Sequence, residues 1–210
     1  MKSEPQLFVR TPINYQSNRY YPLLFSIHWR HGNAISFMDY WKTPRTKTDF
    51  IMAFPQSSQM CAIDDYCWDD EALAKRELLE AYQIVIQQYP IDLNRIIIAG
   101  ASQGGKLAIE MTLSGEIQSN GFISVIPAFY DIKPQIASLK QANHLNLRGF
   151  IIAGELDPFT PKAVEFYQYC QENDFTCKLT IEPGVGHAFP EKELPKKLDQ
   201  AINFVLNQSK

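Results

Sequence analysis

The chain has 210 residues, of which 45% are hydrophobic and 20% are charged, and its formal net charge is -3 at pH 7. This length suits one domain with a full hydrophobic core, predicted to cover residues 1–210, and the composition excludes a disordered chain. A nucleic-acid partner is excluded too, because no stretch clusters five or more Lys and Arg side chains to neutralise phosphates.

The N-terminus, MKSEPQLFVRTP, has no apolar segment followed by a small-residue cleavage site, and no apolar run in the chain is long enough to cross a bilayer. We therefore expect a cytoplasmic protein without a membrane partner, although a mature form that has lost its leader would look the same. The four cysteines lack CxxC spacing, so free thiols are expected and a metal site is not: Cys61, Cys67, Cys170 and Cys177. The oligomeric state, a homo-oligomer included, stays open.

The first elements along the chain read as strands. Residues 7–9 form a short run typical of an edge strand, and residues 22–28 (PLLFSIH) and 50–54 (FIMAF) are continuous apolar runs typical of buried strands. The connection over residues 55–70 is long. Because long loops at the carboxyl edge of a sheet often line substrate sites, Trp68 on this connection is a candidate for substrate binding, or equally for the core.

The next segment, residues 71–89, places its apolar side chains on one helical face. Asp69 and Asp70 are predicted to cap this helix at its start, and Pro90 ends it. Further strands are predicted at residues 95–99, 121–126, 147–153 and 177–181, and further helices at residues 103–113, 162–173 and 192–206. Strands buried on both faces that alternate with helices indicate a three-layer α/β fold with a mainly parallel sheet flanked by helices. Ligands bind such sheets at the carboxyl ends of the strands.

A nucleophile elbow follows the strand at residues 95–99, because GASQGG (residues 100–105) matches the pattern G-x-S-x-G between a strand and a helix. Ser102 is the predicted nucleophile, and the backbone N–H of Gln103 would face an oxyanion formed there. The same glycines also fit a turn that only packs closely. A phosphate-binding P-loop fits less well, because Leu107 follows Lys106 where that motif needs Ser or Thr.

An acid and a base follow the next strands in the order that the elbow requires. Asp157 comes just after the strand at residues 147–153, and His187 follows the strand at residues 177–181 in a glycine-flanked loop. Alone, Asp-Pro is an ordinary turn and a loop histidine is ordinary surface. Together with Ser102, these residues predict a catalytic triad. Phe159 and Phe189 lie beside the acid and the base, and Phe159 is a further candidate for substrate binding.

The segments GASQGG, GELDPFTP and GVGHAFP resemble the α/β-hydrolase superfamily, and within it the compact carboxylesterase and dienelactone-hydrolase-like branch. The resemblance covers most of the chain from residue 22 onward. It implies an eight-stranded sheet, shortened at the N-terminus, without a separate lid domain. Dienelactone hydrolases use a Cys nucleophile, so Ser102 moves the interpretation towards ester hydrolysis.

The loop after residues 22–28 departs from the His-Gly-Gly pattern that this family usually carries, since the sequence here is IHWRHG (residues 27–32). If His28 aligns with the family histidine, the second oxyanion donor is the N–H of Trp29 or Arg30. If His31 and the glycine after it align instead, the loop is shifted by three residues. We favour the first alignment because His28 ends the apolar run. His28 is a candidate for substrate binding, or alternatively braces the loop by a hydrogen bond.

The sequence thus predicts a serine hydrolase that cleaves a small ester through an acyl-enzyme on Ser102, with His187 as base and Asp157 as its partner. The expected partner is a small-molecule ester, and neither a metal nor an organic cofactor is expected. Fold and triad do not separate an esterase from a peptidase, an amidase or a thioesterase. A ligand-binding protein without turnover on the same scaffold is the remaining alternative.

Overall fold

A computed structural model describes residues 6–142 and 146–207. The strands are β1 (Leu7–Arg10), β2 (Tyr21–Ile27), β3 (Ile51–Pro55), β4 (Gln59–Ala62), β5 (Asp65–Cys67), β6 (Ile91–Ala101), β7 (Gly121–Val125), β8 (Arg148–Gly154) and β9 (Cys177–Glu182). The helices are α1 (Ala34–Phe37), α2 (Pro44–Asp49), α3 (Glu71–Gln88), α4 (Gln103–Leu113), α5 (Lys133–Ala142), α6 (Thr160–Glu172) and α7 (Leu194–Val205), and Met38–Trp41 forms a 3₁₀ helix. The prediction of one domain over residues 1–210 extends outside the described ranges and stays a prediction.

One sheet organises the molecule, with the strand order β1-β3-β2-β6-β7-β8-β9. All neighbouring strands in it are parallel except β1, which pairs antiparallel with β3 at the edge. Over the described ranges the sheet has seven strands, in place of the eight of the full family plan. The mainly parallel sheet with a short edge strand is confirmed.

Helices cover both faces of this sheet. Successive residues of β2 point to opposite faces, so Leu24 packs in a cluster with α7 while Leu23 and Phe25 pack in a cluster with α3. Every residue of β2 is buried, because parallel strands under two helical layers meet no water. The three-layer α/β fold expected from the sequence is confirmed.

Several elements differ from the sequence prediction. The connection at residues 55–70 contains the hairpin of β4 and β5, and the short helices α1 and α2, the 3₁₀ helix and α5 were not predicted. Strand β6 continues through Gly100 to Ala101 and does not break at the glycine. Asp70 alone caps α3, accepting a hydrogen bond from the Leu73 N–H, whereas Asp69 points elsewhere, as described below.

Over residues 6–142 and 146–207, no helix has both the length and the apolar character needed to cross a bilayer.

Candidate active site

Ser102 lies in a sharp turn between β6 and α4, with φ 55° and ψ -119°. A non-glycine residue in this region is strained, and close packing of the turn enforces it. A Cβ atom at Gly100 would lie 2.2 Å from the Gly104 carbonyl oxygen, and one at Gly104 would lie 2.1 Å from the Ile27 carbonyl oxygen. The glycines of GASQGG therefore let α4 begin directly against the carboxyl end of β2.

Three side chains form a hydrogen-bonded row at the carboxyl edge of the sheet. The Ser102 Oγ lies 2.8 Å from His187 Nε2, and His187 Nδ1 lies 2.8 Å from Asp157 Oδ2. Asp157 is 3% exposed, and its Oδ1 accepts a hydrogen bond from the Phe159 N–H at 2.9 Å. Because the carboxylate accepts the Nδ1 proton, the Nε2 lone pair is left to accept the proton of the Ser102 hydroxyl.

The loops that carry Asp157 and His187 are bound to each other. The Leu156 N–H donates to the Val185 carbonyl at 2.8 Å, and the Gly184 N–H donates to the Glu155 carboxylate at 2.8 Å. A Cβ atom at Gly154 would lie 2.4 Å from the Val185 carbonyl oxygen, so this approach requires glycine. The separation of the acid from the base is therefore fixed by hydrogen bonds and close packing between the two loops.

The residues expected to bind an oxyanion lie on both sides of Ser102. Gln103 is the first residue of α4, whose initial N–H groups have no partner within the helix. Trp29 and Arg30 lie in the loop after β2 and line cavities together with Ser102. His31 lies further along the loop and lines neither cavity. The structure thus places Trp29 and Arg30, as in the first alignment, beside the nucleophile, and their role as donors stays a prediction.

Two cavities meet at Ser102 and His187. The aromatic cavity has a volume of 260 Å³ and is walled by Trp29, Tyr40, Ile126, Ala188 and Phe189, with Arg30 shared between the two cavities. The second cavity has a volume of 400 Å³ and is walled by Arg30, Trp68, Asp69, Glu71, Gln103, Lys106, Leu107, Ala128, Tyr130 and Phe159; we call it the polar cavity because charged and amide side chains lie in its wall. The two substituents of an ester bound at Ser102 could therefore lie in different cavities.

Sequence reasoning found part of this lining. Trp68 and Phe159 line the polar cavity, and the Phe159 ring contacts the His187 ring edge-on with centroids 5.1 Å apart. Trp68 is also buried in the core cluster that includes α3, in agreement with its alternative role in the core, and substrate binding by these two side chains stays a prediction. Tyr40 was missed because it lies in the short 3₁₀ helix. Ile126 directly follows β7, and its place at the end of a strand could have identified it as a residue of the site. Its φ of 44° is a strained value for a β-branched side chain.

His28 does not line either cavity. It is fully buried, its Nδ1 donates to the Trp29 carbonyl at 2.8 Å, and its Nε2 accepts from the Ser57 N–H at 3.3 Å. The expectation that His28 binds substrate is corrected, because these bonds occupy both ring nitrogens within the protein. The contacts agree with the alternative role of bracing the loop that carries Trp29 and Arg30.

The burial of His28 predicts a pH dependence of folding. Desolvation lowers the pKa of His28 from 6.5 to about 4, against a smaller opposing effect of the Trp29 carbonyl. The unfolded chain therefore binds the proton first as the pH falls. We expect this group to leave the free energy of unfolding unchanged above pH 6.5. As the pH falls from 6.5 to 4, the group should lower the free energy of unfolding by about 3 kcal/mol. The test is the free energy of unfolding of the wild type and of His28→Gln, measured in urea at pH 7 and at pH 4.5. Equal pH slopes in the two proteins would contradict the expectation.

Within the described part of the chain, no group of three or more His, Cys, Asp or Glu side chains is arranged to hold a metal ion. The described cysteines are all free thiols.

A nucleophile elbow after β6, an acid after β8 and a histidine after β9 define the α/β-hydrolase class. The family model described as Phospholipase/Carboxylesterase matches residues 31–205, and the chain belongs to this family. The resemblance expected from the sequence is thus confirmed, and the family description names ester-cleaving hydrolases. The match begins just after Trp29 and Arg30.

Solved structures with the same fold include proteins at low identity. An uncharacterised protein from Bacillus cereus is 27% identical with a TM-score of 0.84, over 95% of this chain and 64% of that one, so this chain spans less than two thirds of its length. S-formylglutathione hydrolase from Staphylococcus aureus is 16% identical with a TM-score of 0.72, over 96% and 90% of the two chains. Esterase PE8 is 15% identical with a TM-score of 0.76, over 99% and 100%. At these low identities, the last two similarities show only that the fold is shared. No curated protein sequence matches the chain.

Proposed function

We propose that the protein is a serine carboxylesterase that cleaves a small ester through an acyl-enzyme on Ser102. The observation that carries the proposal is the row Ser102–His187–Asp157, with 2.8 Å between successive partners, in a chain of the phospholipase/carboxylesterase family. Nucleophile, base and orienting acid are each within hydrogen-bond reach, which is the geometry that covalent acyl transfer requires.

The first half-reaction forms the acyl-enzyme. The Ser102 Oγ attacks the ester carbonyl carbon while its proton passes to His187 Nε2, and the carbonyl oxygen becomes an oxyanion held by the N–H groups of Gln103 and of Trp29 or Arg30. The bond from carbon to the alcohol oxygen then breaks, and His187 returns the proton to the departing alcohol. Asp157 stabilises the imidazolium that exists between these two steps.

The second half-reaction repeats the cycle with water. His187 accepts a proton from a water molecule, whose oxygen attacks the acyl carbon, and the resulting tetrahedral intermediate releases the carboxylic acid as Ser102 recovers its proton. Every proton moves between substrate, water and the row of three side chains, so no further reactant is needed.

The aromatic cavity supports a small substituent on one side of the ester. Its volume of 260 Å³ lies below the range of about 300–1,000 Å³ that holds drug-sized ligands. Tyr40, Ile126 and Phe189 make its wall largely apolar. We propose that one small substituent of the ester occupies this cavity and that the other occupies the larger polar cavity.

Labelling with a fluorophosphonate probe tests the activated nucleophile. We expect one adduct per chain, mapped to Ser102 by peptide mass analysis, because only a serine with a working base attacks the phosphorus at an appreciable rate. Ser114→Ala is the matched control, since this serine caps the other end of α4 and should leave labelling unchanged. A folded protein without an adduct would contradict the proposal and favour the ligand-binding alternative. If Ser102 is labelled, the rates of hydrolysis of the ester, the thioester and the anilide of one acyl group would rank the leaving groups.

A further inference from the structure

We propose that Asp69 is a positioning residue that holds the two halves of the oxyanion hole in register. The inference deepens the proposed function and rests on it, since it concerns the donors on the loop after β2 and at the start of α4. The side-chain hydrogen bonds of Asp69 go to Arg30 and Gln103, and none of them goes to a member of the triad. It lies on the connection between β5 and α3, at the wall of the polar cavity.

The Asp69 carboxylate bonds to a residue on each half. Its oxygens accept from Arg30 Nε at 3.1 Å and from Arg30 Nη2 at 2.9 Å, so the guanidinium is held by two of its donors. Its Oδ1 also accepts from Gln103 Nε2 at 2.9 Å. Gln103 carries one of the backbone N–H groups proposed to face the oxyanion, and Arg30 is one of the two candidates for the other, next to Trp29 in the same loop.

The segment that carries Asp69 reinforces this connection. We call residues 66–69 the bracing segment. The Tyr66 N–H donates to the Gly32 carbonyl at 3.0 Å, the Trp68 indole N–H donates to the His28 carbonyl at 3.0 Å, and the Trp68 backbone N–H donates to Gln103 Oε1 at 2.9 Å. The bracing segment thus bonds to the loop after β2 on one side and to the nucleophile elbow on the other.

Stability alone does not account for the pair of Asp69 with Arg30. The two side chains are 48% and 46% exposed, and ion pairs at such exposure contribute little to folding. The Arg30 guanidinium, with help from the Gln103 amide, lowers the pKa of Asp69 to about 2. The carboxylate is therefore charged at neutral pH and well below it, and the connection is not a pH switch.

Asp69→Asn tests the proposal, because it keeps the size of the side chain but removes its charge and one acceptor. With p-nitrophenyl acetate we expect kcat to fall by about 10- to 100-fold, less than the 10²–10³ typical for deleting one donor outright. KM should change little, because the ground-state carbonyl depends less on these donors. Binding of benzeneboronic acid, which forms a tetrahedral adduct with the serine, should weaken by a similar factor.

Asp92→Asn is the matched control, since Asp92 forms an ion pair with Arg95 at the far end of β6 and should leave kcat unchanged. Asp69→Glu should recover part of the lost rate, because it restores the charge. In a double-mutant cycle, Arg30→Ala should add little to Asp69→Asn, since both remove the same contact.

A wild-type kcat and unchanged boronate binding in Asp69→Asn would overturn the inference. So would a fall in kcat that appears only together with a lower Tm, because that result would indicate a structural role. Failure of the proposed function is a separate result: the wild type would then neither label at Ser102 nor cleave the ester, and the inference would fall with it.

Discussion

Ser102→Ala is expected to lower kcat for a small p-nitrophenyl ester by about 10⁶-fold. The hydroxyl is the atom that forms the acyl-enzyme, and removing it leaves His187 without the nucleophile from which it takes a proton. The row Ser102–His187–Asp157 acts as a unit, so loss of one member removes most of the rate acceleration that the three side chains provide together. What remains is the contribution of the oxyanion donors and of substrate binding, about 10³-fold over water.

The measurement is the steady-state rate of purified Ser102→Ala, together with its Tm. We expect an unchanged fold, because Ala and Ser face the same backbone strain at φ 55° and the elbow is fixed by Gly100 and Gly104. Ser114→Ala should keep the wild-type rate. A Ser102→Ala protein with more than a trace of activity, once contaminating hydrolases are removed, would contradict the proposed nucleophile.

The parallel strands and the elbow were predictable because their signals are local. A buried parallel strand is a continuous apolar run, as in β2, and the elbow needs glycines at fixed offsets from the serine. The order of Ser102, Asp157 and His187 along the chain follows from the same rule, since each is placed by the end of a strand. The structure brings these three side chains together as the sequence order suggests.

Short elements were not predictable in the same way. Helix α1 has 4 residues and α2 has 6, too few for a helical period to show, and each begins at a polar cap, Asn33 or Thr43, that also suits a turn. The hairpin of β4 and β5 has little apolar alternation, and it is anchored by one bridge between Gly32 and Tyr66, a contact between distant parts of the chain.

The contacts of Asp69 show why the surroundings of the site are harder to predict than the triad. In the sequence, Asp69 and Asp70 are equivalent candidates for the cap of α3. The structure separates them, because Asp70 accepts from the first turn of the helix while Asp69 faces Arg30 and Gln103, which are 39 and 34 residues away in the chain. These groups meet only because the loop after β2, the segment before α3 and the start of α4 pack together. No local sequence pattern predicts such a contact.

Asp157→Asn is expected to lower kcat by about 10⁴-fold, through the tautomer of His187. The Phe159 N–H donates to one oxygen of the Asp157 side chain. In the variant the amide oxygen satisfies this donor, so the amide NH₂ faces His187 Nδ1 and donates to it. The imidazole must then carry its proton on Nε2, where it cannot accept the proton of the Ser102 hydroxyl.

This expectation separates the orienting role of Asp157 from a role in folding. The variant buries a neutral amide with both of its groups bonded, so its Tm should stay close to that of the wild type, whereas Asp157→Ala would leave the Phe159 N–H and His187 Nδ1 without their partner and should lower both kcat and Tm. Nitrogen NMR of the imidazole should show the proton on Nδ1 in the wild type and on Nε2 in Asp157→Asn. Asp174→Asn, in the turn after α6, is the control and should change neither the rate nor the tautomer. A variant with the proton still on Nδ1 and a full rate would mean that the loop, and not the carboxylate, orients the base.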